Sequence, residues 1–205
     1  MKKITDDIFR PDGRQTQAAQ GSLLVAEPFL KEKYFKRAVI TLIDCPDGGE
    51  GGAMGVVMNR AINVELNEVL EGVEKDRHVP LYCGGPMSQD RLYFIHTLGS
   101  DLIEGAQKIM PGLWIGGDFE AIIAYVNGGG DLKGTLRFFI GYSGWGESQL
   151  NAELDNEVWA TLAPGIISPE TLLTEDDTRL WHTAVRALGP SYRTWNLLPG
   201  LPLSN

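Results

Sequence analysis

Residues 135–159 read Thr-Leu-Arg-Phe-Phe-Ile-Gly-Tyr-Ser-Gly-Trp-Gly-Glu-Ser-Gln-Leu-Asn-Ala-Glu-Leu-Asp-Asn-Glu-Val-Trp. Thr135–Ile140 is a short apolar run that predicts a buried strand. The glycines that follow predict a turn over 141–146, and the turn carries Tyr142 and Trp145. Trp145 has glycine on both sides and is expected to be partly exposed. A helix is predicted over 147–160. At 3.6 residues per turn it carries two stripes: Leu150, Leu154 and Val158 toward the core, and Gln149, Glu153 and Asn156 on a polar side. A strand running through an aromatic turn into a two-striped helix marks the place for a site. The polar stripe either holds a ligand or anchors a loop through paired hydrogen bonds.

Outward from this segment, strands outnumber helices and do not alternate with them. Ser22–Glu27, Ala38–Asp44, Met54–Asn59, Pro80–Cys83, Arg91–Leu98 and Leu113–Ile115 read as strands. Asn63 is expected to cap a short helix bearing Leu66, Val69, Leu70 and Val73. Asp118 is expected to cap a helix ending at Gly128-Gly129-Gly130. A last helix is predicted over Asp177–Leu188, stopped by Gly189-Pro190. Trp114, Trp159, Trp181 and Trp195 are expected to extend the core. The pattern implies an α+β fold: a mixed β-sheet with helices packed on its faces, in a single compact unit over 21–205. Residues 1–20 are polar, broken by Pro11-Asp12-Gly13, and read as a flexible leader. The tail with Trp195, Pro199 and Pro202 reads as an irregular cover.

The 205 residues are 43% hydrophobic and 22% charged, enough to bury a core without disulfides or metal. Net charge is −9, from 18 basic and 27 acidic side chains, and all the excess acid lies after residue 60. Nucleic-acid binding neutralises phosphates with Lys and Arg, so an acidic body argues against it. The one basic cluster, Lys31, Lys33, Lys36 and Arg37, reads as a solvated face. Cys45 and Cys83 form no Cys-x-x-Cys pair and suit a reducing compartment. With no apolar run of membrane length and no signal-like leader, a cytoplasmic protein without membrane contact is expected.

Gly141-Tyr-Ser-Gly-Trp145 invites comparison with the Gly-x-Ser-x-Gly nucleophile elbow. Trp145 stands where that motif needs a small residue for close strand–helix packing. Ser143 is therefore not expected to be a nucleophile, with or without His96 as its base. The glycine loops at 48–52 and 84–85 lack the Gly-Lys-Ser/Thr ending of a phosphate loop and the Gly-x-Gly-x-x-Gly of a dinucleotide fold. His78, His96 and His182 have no metal-ligand spacing. No metal and no cofactor are expected.

Four blocks together resemble the bacterial YqgE/AlgH family. They are Gly-Ser-Leu-Leu-Val-Ala-Glu-Pro at 21–28 with Phe35-Lys-Arg-Ala-Val-Ile, Gly-Ala-Met-Gly-Val-Val-Met-Asn-Arg at 52–60, Gly-Gly-Pro at 84–86 with Leu92–His96, and Gly-Tyr-Ser-Gly-Trp at 141–145 with Gln149-Leu150, Glu153 and Asn156 to Trp159. Two departures matter. Family members usually carry Glu-His or Asp-His where this chain has Asp44-Cys45, and often Ala at the position of Ser143. The resemblance implies a compact cytoplasmic α+β protein without an established enzyme activity. The family is sometimes labelled a transcriptional regulator through a link to alginate production.

These readings converge on a non-catalytic binding or regulatory protein with an unknown small-molecule or protein partner. The expected site comprises Asn59, Gly84, Gly85, Pro86, His96, Tyr142, Trp145, Gln149 and Glu153. Tyr142 and Trp145 would stack on the ligand, and Gln149 and Glu153 would bond to it. The alternative is a hydrolase of a nucleotide or other phosphorylated small molecule, with Glu153 as base and glycine-loop amides holding phosphate.

Overall fold

A computed structural model describes residues 17–175 and 177–198. The leader lies outside these residues as far as residue 16, as does the end of the tail with Pro199 and Pro202. Where the leader comes into view it is tied down: Ala18 is buried, and the Gln20 amide donates to the carbonyls of Ile43 and Lys108.

The strands are β1 (Leu23–Ala26), β2 (Val39–Asp44), β3 (Ala53–Val57), β4 (Ala61–Glu65), β5 (Pro80–Cys83), β6 (Met87–His96), β7 (Gln107–Met110), β8 (Leu113–Ile115), β9 (Leu136–Trp145) and β10 (Trp159–Leu162). The helices are α1 (Leu66–Val69), α2 (Phe119–Asn127), α3 (Gln149–Asp155), α4 (Pro169–Thr174) and α5 (Asp177–Ala187). The sheet runs β10-β1-β2-β3-β9-β6-β8-β7, with β5 beside β9 and β4 beside β5. All pairings are antiparallel except β5 with β9, so the sheet is mixed and the fold is α+β.

Successive residues of a strand point to opposite faces, and here both faces are covered. Leu23, Val25, Val39 and Val56 belong to one apolar cluster with Trp181, Ala184 and Val185 of α5. Leu24, Ala26, Ile40, Leu42 and Val57 belong to another with Trp145, Leu150 and Trp159. A third gathers Phe94, Phe138 and Leu81 with Ile122 and Val126 of α2. Double-sided burial is why β1, β2 and β3 read as continuous apolar runs rather than alternating ones.

β9 is the organising strand, and it departs most from the sequence reading. The expected turn over 141–146 is strand as far as Trp145, making β9 ten residues long. Its first half pairs with β5 at Leu81↔Phe138 to Cys83↔Ile140 and its last residues with β3 at Ala53↔Trp145 to Gly55↔Ser143. β6 takes the other edge. The glycines serve close approach, not reversal. A Cβ on Gly84 would stand 2.3 Å from the Gly141 carbonyl oxygen, and one on Gly85 would stand 2.3 Å from the Tyr142 carbonyl group.

Three other expectations change. The helix expected over 147–160 spans only Gln149–Asp155, between left-handed residues Ser148 (φ 57°) and Glu157 (φ 58°), because Trp159–Leu162 pairs with β1 as β10. Asn63 lies in β4, and α1 begins after Glu65, whose amide donates to the Glu68 carboxylate at 3.0 Å. Trp114 is only partly buried, whereas Trp159, Trp181 and Trp195 are core. Asp118 does cap α2, accepting from the amides of Glu120 (2.9 Å) and Ala121 (3.3 Å).

Candidate functional site

The turn into α3 is held by a carboxylate with two indoles on it. Glu153 Oε2 accepts from Trp145 Nε1 at 2.8 Å and from Trp159 Nε1 at 2.7 Å. Its Oε1 accepts from Gln149 Nε2 at 2.9 Å, and Gln149 Oε1 accepts from the Gly146 amide at 3.0 Å. The two indole rings meet edge to face, 6.2 Å between centroids. Trp145 is only 7% exposed, so the expected partial exposure does not hold. The indole packs with Leu150 and Trp159 in the core cluster beneath β1–β3, and Glu153 is the acceptor that makes its burial tolerable. The polar stripe of α3 is thus largely an anchor. Asn156 behaves alike, its amide donating back to the Ala152 carbonyl at 2.7 Å.

Asn59 and His96 stand apart from this turn, and Gly84 and Gly85 lie against the β9 backbone at Gly141–Ser143 that leads into it. Asn59 Oδ1 accepts from the Val39 amide and its Nδ2 donates to the Arg37 carbonyl, both at 2.9 Å, pinning the exit of β3 to the entry of β2. His96 ends β6 with no exposure; its Nε2–H donates to the Gly116 carbonyl at 3.0 Å and its Nδ1 is buried without a partner. Burial lowers its pKa, partly offset by the Gly116 bond. Gly84 donates its amide to the Ile140 carbonyl and accepts at its own carbonyl from Val57 N–H and Ser143 Oγ–H. Ser143 and Gly84 are thereby committed to β3–β9 pairing. Pro86 and Met87 reach solvent beyond them.

What the fold brings together at the surface is a shallow groove of about 530 Å³ at the C-terminal end of β9. Tyr142, Gly144, Trp145 and Gln149 line it together with Pro46, with Gly51 and Gly52 of the glycine loop, and with Ala53 at the start of β3. Met54, Met87 and Asp44 complete it. The register explains the gathering: Met54 stands opposite Gly144, and Met87 opposite Tyr142. Gly144 has no side chain to fill the space between the Met87 side chain and the Tyr142 ring. Tyr142 in turn rests edge to face on Tyr93, 6.0 Å between centroids. Three of the nine expected residues line this groove, and Glu153 sits behind it. Met54, Met87 and Asp44 escaped the sequence reading because only strand pairing makes them neighbours.

Asp44 is the one formally charged residue among the described residues that line the groove. It raises the pKa of the neighbouring Cys45 thiol, secondary to the thiol's own burial. A groove of methionine, tyrosine and one carboxylate suits an apolar group with neutral or positive character. Among the described residues, no group of three His, Cys, Asp or Glu side chains could hold a metal ion. No helix among them is long and apolar enough to cross a membrane.

The chain is 38% identical to a UPF0301 protein of Parabacteroides distasonis over 199 residues, covering 97% of this chain and 98% of that one. A UPF0301 protein of Bacteroides thetaiotaomicron is 35% identical over 205 residues, covering 98% and 99%. The solution structure of the AlgH protein from Pseudomonas aeruginosa superposes with a TM-score of 0.67 at 26% identity, over 93% of this chain and all of that one. A crystal structure of a Corynebacterium diphtheriae protein matches with a TM-score of 0.69 at 21% identity, over 95% and 99%, and shares the fold. The AlgH-like family model matches residues 23–193, from β1 through α5 to the turn that carries Tyr192, and the chain belongs to that family.

Proposed function

We propose that the protein acts in the cytosol by binding, in a regulatory role, and that the groove beside Tyr142 and Trp145 is its ligand or partner face. The carrying observation is a division within the expected site. Tyr142 faces an open groove, whereas Gln149, Glu153 and Asn59 spend polar atoms on internal hydrogen bonds. The groove offers an aromatic ring, two methionines and a carboxylate, which favour a neutral or cationic apolar group.

The hydrolase reading draws less support. Glu153 accepts three hydrogen bonds, from Trp145, Trp159 and Gln149, which occupy both of the oxygens a base would use to take a proton. The Gly84 amide, needed for a phosphate cradle, is bonded to the Ile140 carbonyl.

The test is a fragment screen followed by amide chemical-shift mapping on the full chain. Ligands are expected to shift Met54, Met87, Tyr142 and Gly144 together, and Tyr142→Ala is expected to weaken them by about tenfold or more. Hits that never gather at these residues, or that bind Tyr142→Ala unchanged, would remove the groove as the site.

A further inference from the structure

Asp44, Met54 and Gly144 stand in register across β2, β3 and β9, at the floor of the groove beside Tyr142. Directly opposed residues of antiparallel strands share one face of the sheet. Tyr142, two residues before Gly144 on β9, shares that face as well. Its ring leans over Gly144, with Cε2 3.2 Å from where a Cβ would stand. Tyr93 packs edge to face on the same ring, so the ring is held before any ligand arrives. Asp44 reaches this face through an irregularity. Strict alternation would put it on the side of Leu42, which packs with Trp145. A bulge between Leu42 and Asp44 breaks the alternation and sets Asp44 opposite Met54.

The outcome is a row of three: a carboxylate, a thioether and an aromatic ring. Neighbouring strands lie about 4.8 Å apart, so β2 at Asp44 and β9 at Gly144 are separated by about 10 Å, with Met54 between. A compact cation over Met54 would stand within the roughly 6 Å at which a ring attracts it, and about as far from the carboxylate. Among the described residues, the Asp44 carboxylate has no hydrogen-bond or ion-pair partner, and no Lys or Arg lines the groove. Asp47, Glu50 and Glu147, each next in sequence to a lining residue, are exposed and add negative potential around it. The kind of cation follows from hydration. A primary ammonium is strongly hydrated and gains little from an exposed carboxylate. A trimethylammonium head presents methyl groups, which pack on methionine and on a ring face.

We propose that the groove binds a quaternary ammonium head group, seated on Met54 between the Tyr142 ring and the Asp44 carboxylate. This rests on the groove being the ligand face, and it narrows a neutral or cationic occupant to one class of cation.

The probes are choline and neohexyl alcohol, its neutral isostere with carbon in place of nitrogen. Both are titrated into the full chain at fixed ionic strength and followed by amide chemical shifts. Choline is expected to saturate with shifts concentrated at Asp44, Met54, Met87, Tyr142 and Gly144. The isostere is expected to bind about fivefold more weakly or worse. Asp44→Asn, at an exposed position, is expected to weaken choline about threefold or more and to leave the isostere unchanged. Tyr142→Leu removes the ring but keeps apolar bulk and should weaken choline about threefold or more, whereas Tyr142→Phe should retain it. Acetylated trimethyllysine amide carries the same head on a protein side chain. Tighter binding than choline assigns the head to a protein partner, and weaker binding assigns it to a free small molecule. Equal binding of choline and its isostere, or choline binding unchanged by Asp44→Asn, would overturn the ammonium proposal and leave the groove standing as a ligand face. Choline that shifts none of these residues while other fragments gather there would do the same.

Discussion

Glu153 shows why the polar stripe of α3 could be seen in the sequence but not understood from it. The i, i+4 relation to Gln149 is written in the spacing. The bonds to Trp145 and Trp159 are not, because each depends on where the chain goes outside the helix. The indole of Trp145 reaches Glu153 from the end of β9, and that of Trp159 only after the left-handed turn at Glu157. Glycine neighbours likewise suggested exposure for Trp145, although they lie in and beside a strand whose indole points into the core. Glu153→Ala would leave two indole N–H groups without their acceptor, at about 1–3 kcal/mol each, so a loss of about 2–6 kcal/mol is expected in urea unfolding. Glu153→Gln keeps a carbonyl oxygen for the indoles and should lose less than half as much. Equal losses in the two variants would mean that side-chain volume, not hydrogen bonding, holds this turn.

At the level of elements, legibility followed how local the signal was. The apolar, β-branched runs of β1, β2 and β9 announced themselves, and Asp118 marked the start of α2. Trp159–Leu162 did not, because Val158 and Trp159 continue the period of the preceding helix, and only pairing with β1 makes the segment a strand. β7, Gln-Lys-Ile-Met, has too little apolar pattern to stand out and becomes a strand through β8. The extension of β9 through Gly141, Tyr142, Ser143 and Gly144 was hidden by its glycines, and with it the groove where Met54 and Met87 join Tyr142. Those glycines carry a prediction. In Gly84→Ala the new methyl would collide with the Gly141 carbonyl oxygen, a backbone atom held between Ile140, paired with β5 and β6, and Tyr142, paired with β6. A cost of about 2–3 kcal/mol is expected, seen as a fall of about 5–10 °C in Tm for a domain of this size. Gly51→Ala meets nothing nearer than Pro46 Cγ at 3.4 Å and should change stability by less than about 0.5 kcal/mol. An unaltered Tm in Gly84→Ala would mean that β5 and β9 can separate without loss.

Across the whole molecule, one sheet buried on both faces draws its polar side chains inward along with its apolar ones, and His96 is the clearest case. Its Nε2–H donates to Gly116, so the unpartnered Nδ1 is the atom that would take a proton, in a site with no exposure, against the Phe94 ring. Burial holds its folded pKa below the ordinary imidazole range, so the unfolded chain binds more protons there. Stability is complete above the unfolded pKa and falls as pH drops through and below it, by at most about 1.4 kcal/mol per pH unit for this one group. Glu27 acts in the opposite sense and in a lower range. Its carboxyl pKa is raised mainly by burial, so its contribution is present below its unfolded pKa and lost as pH rises through the folded one. The two effects separate because they begin from different unfolded values. Between about pH 7.5 and pH 5 the His96 effect should dominate the difference between the protein and His96→Gln, which keeps a donor for Gly116 but cannot titrate. The urea midpoint of the unmodified protein should fall over that range, and that of His96→Gln should fall less. Parallel pH profiles for the two would show that His96 takes up its proton without disturbing the fold, and acid sensitivity would then belong to the carboxylates.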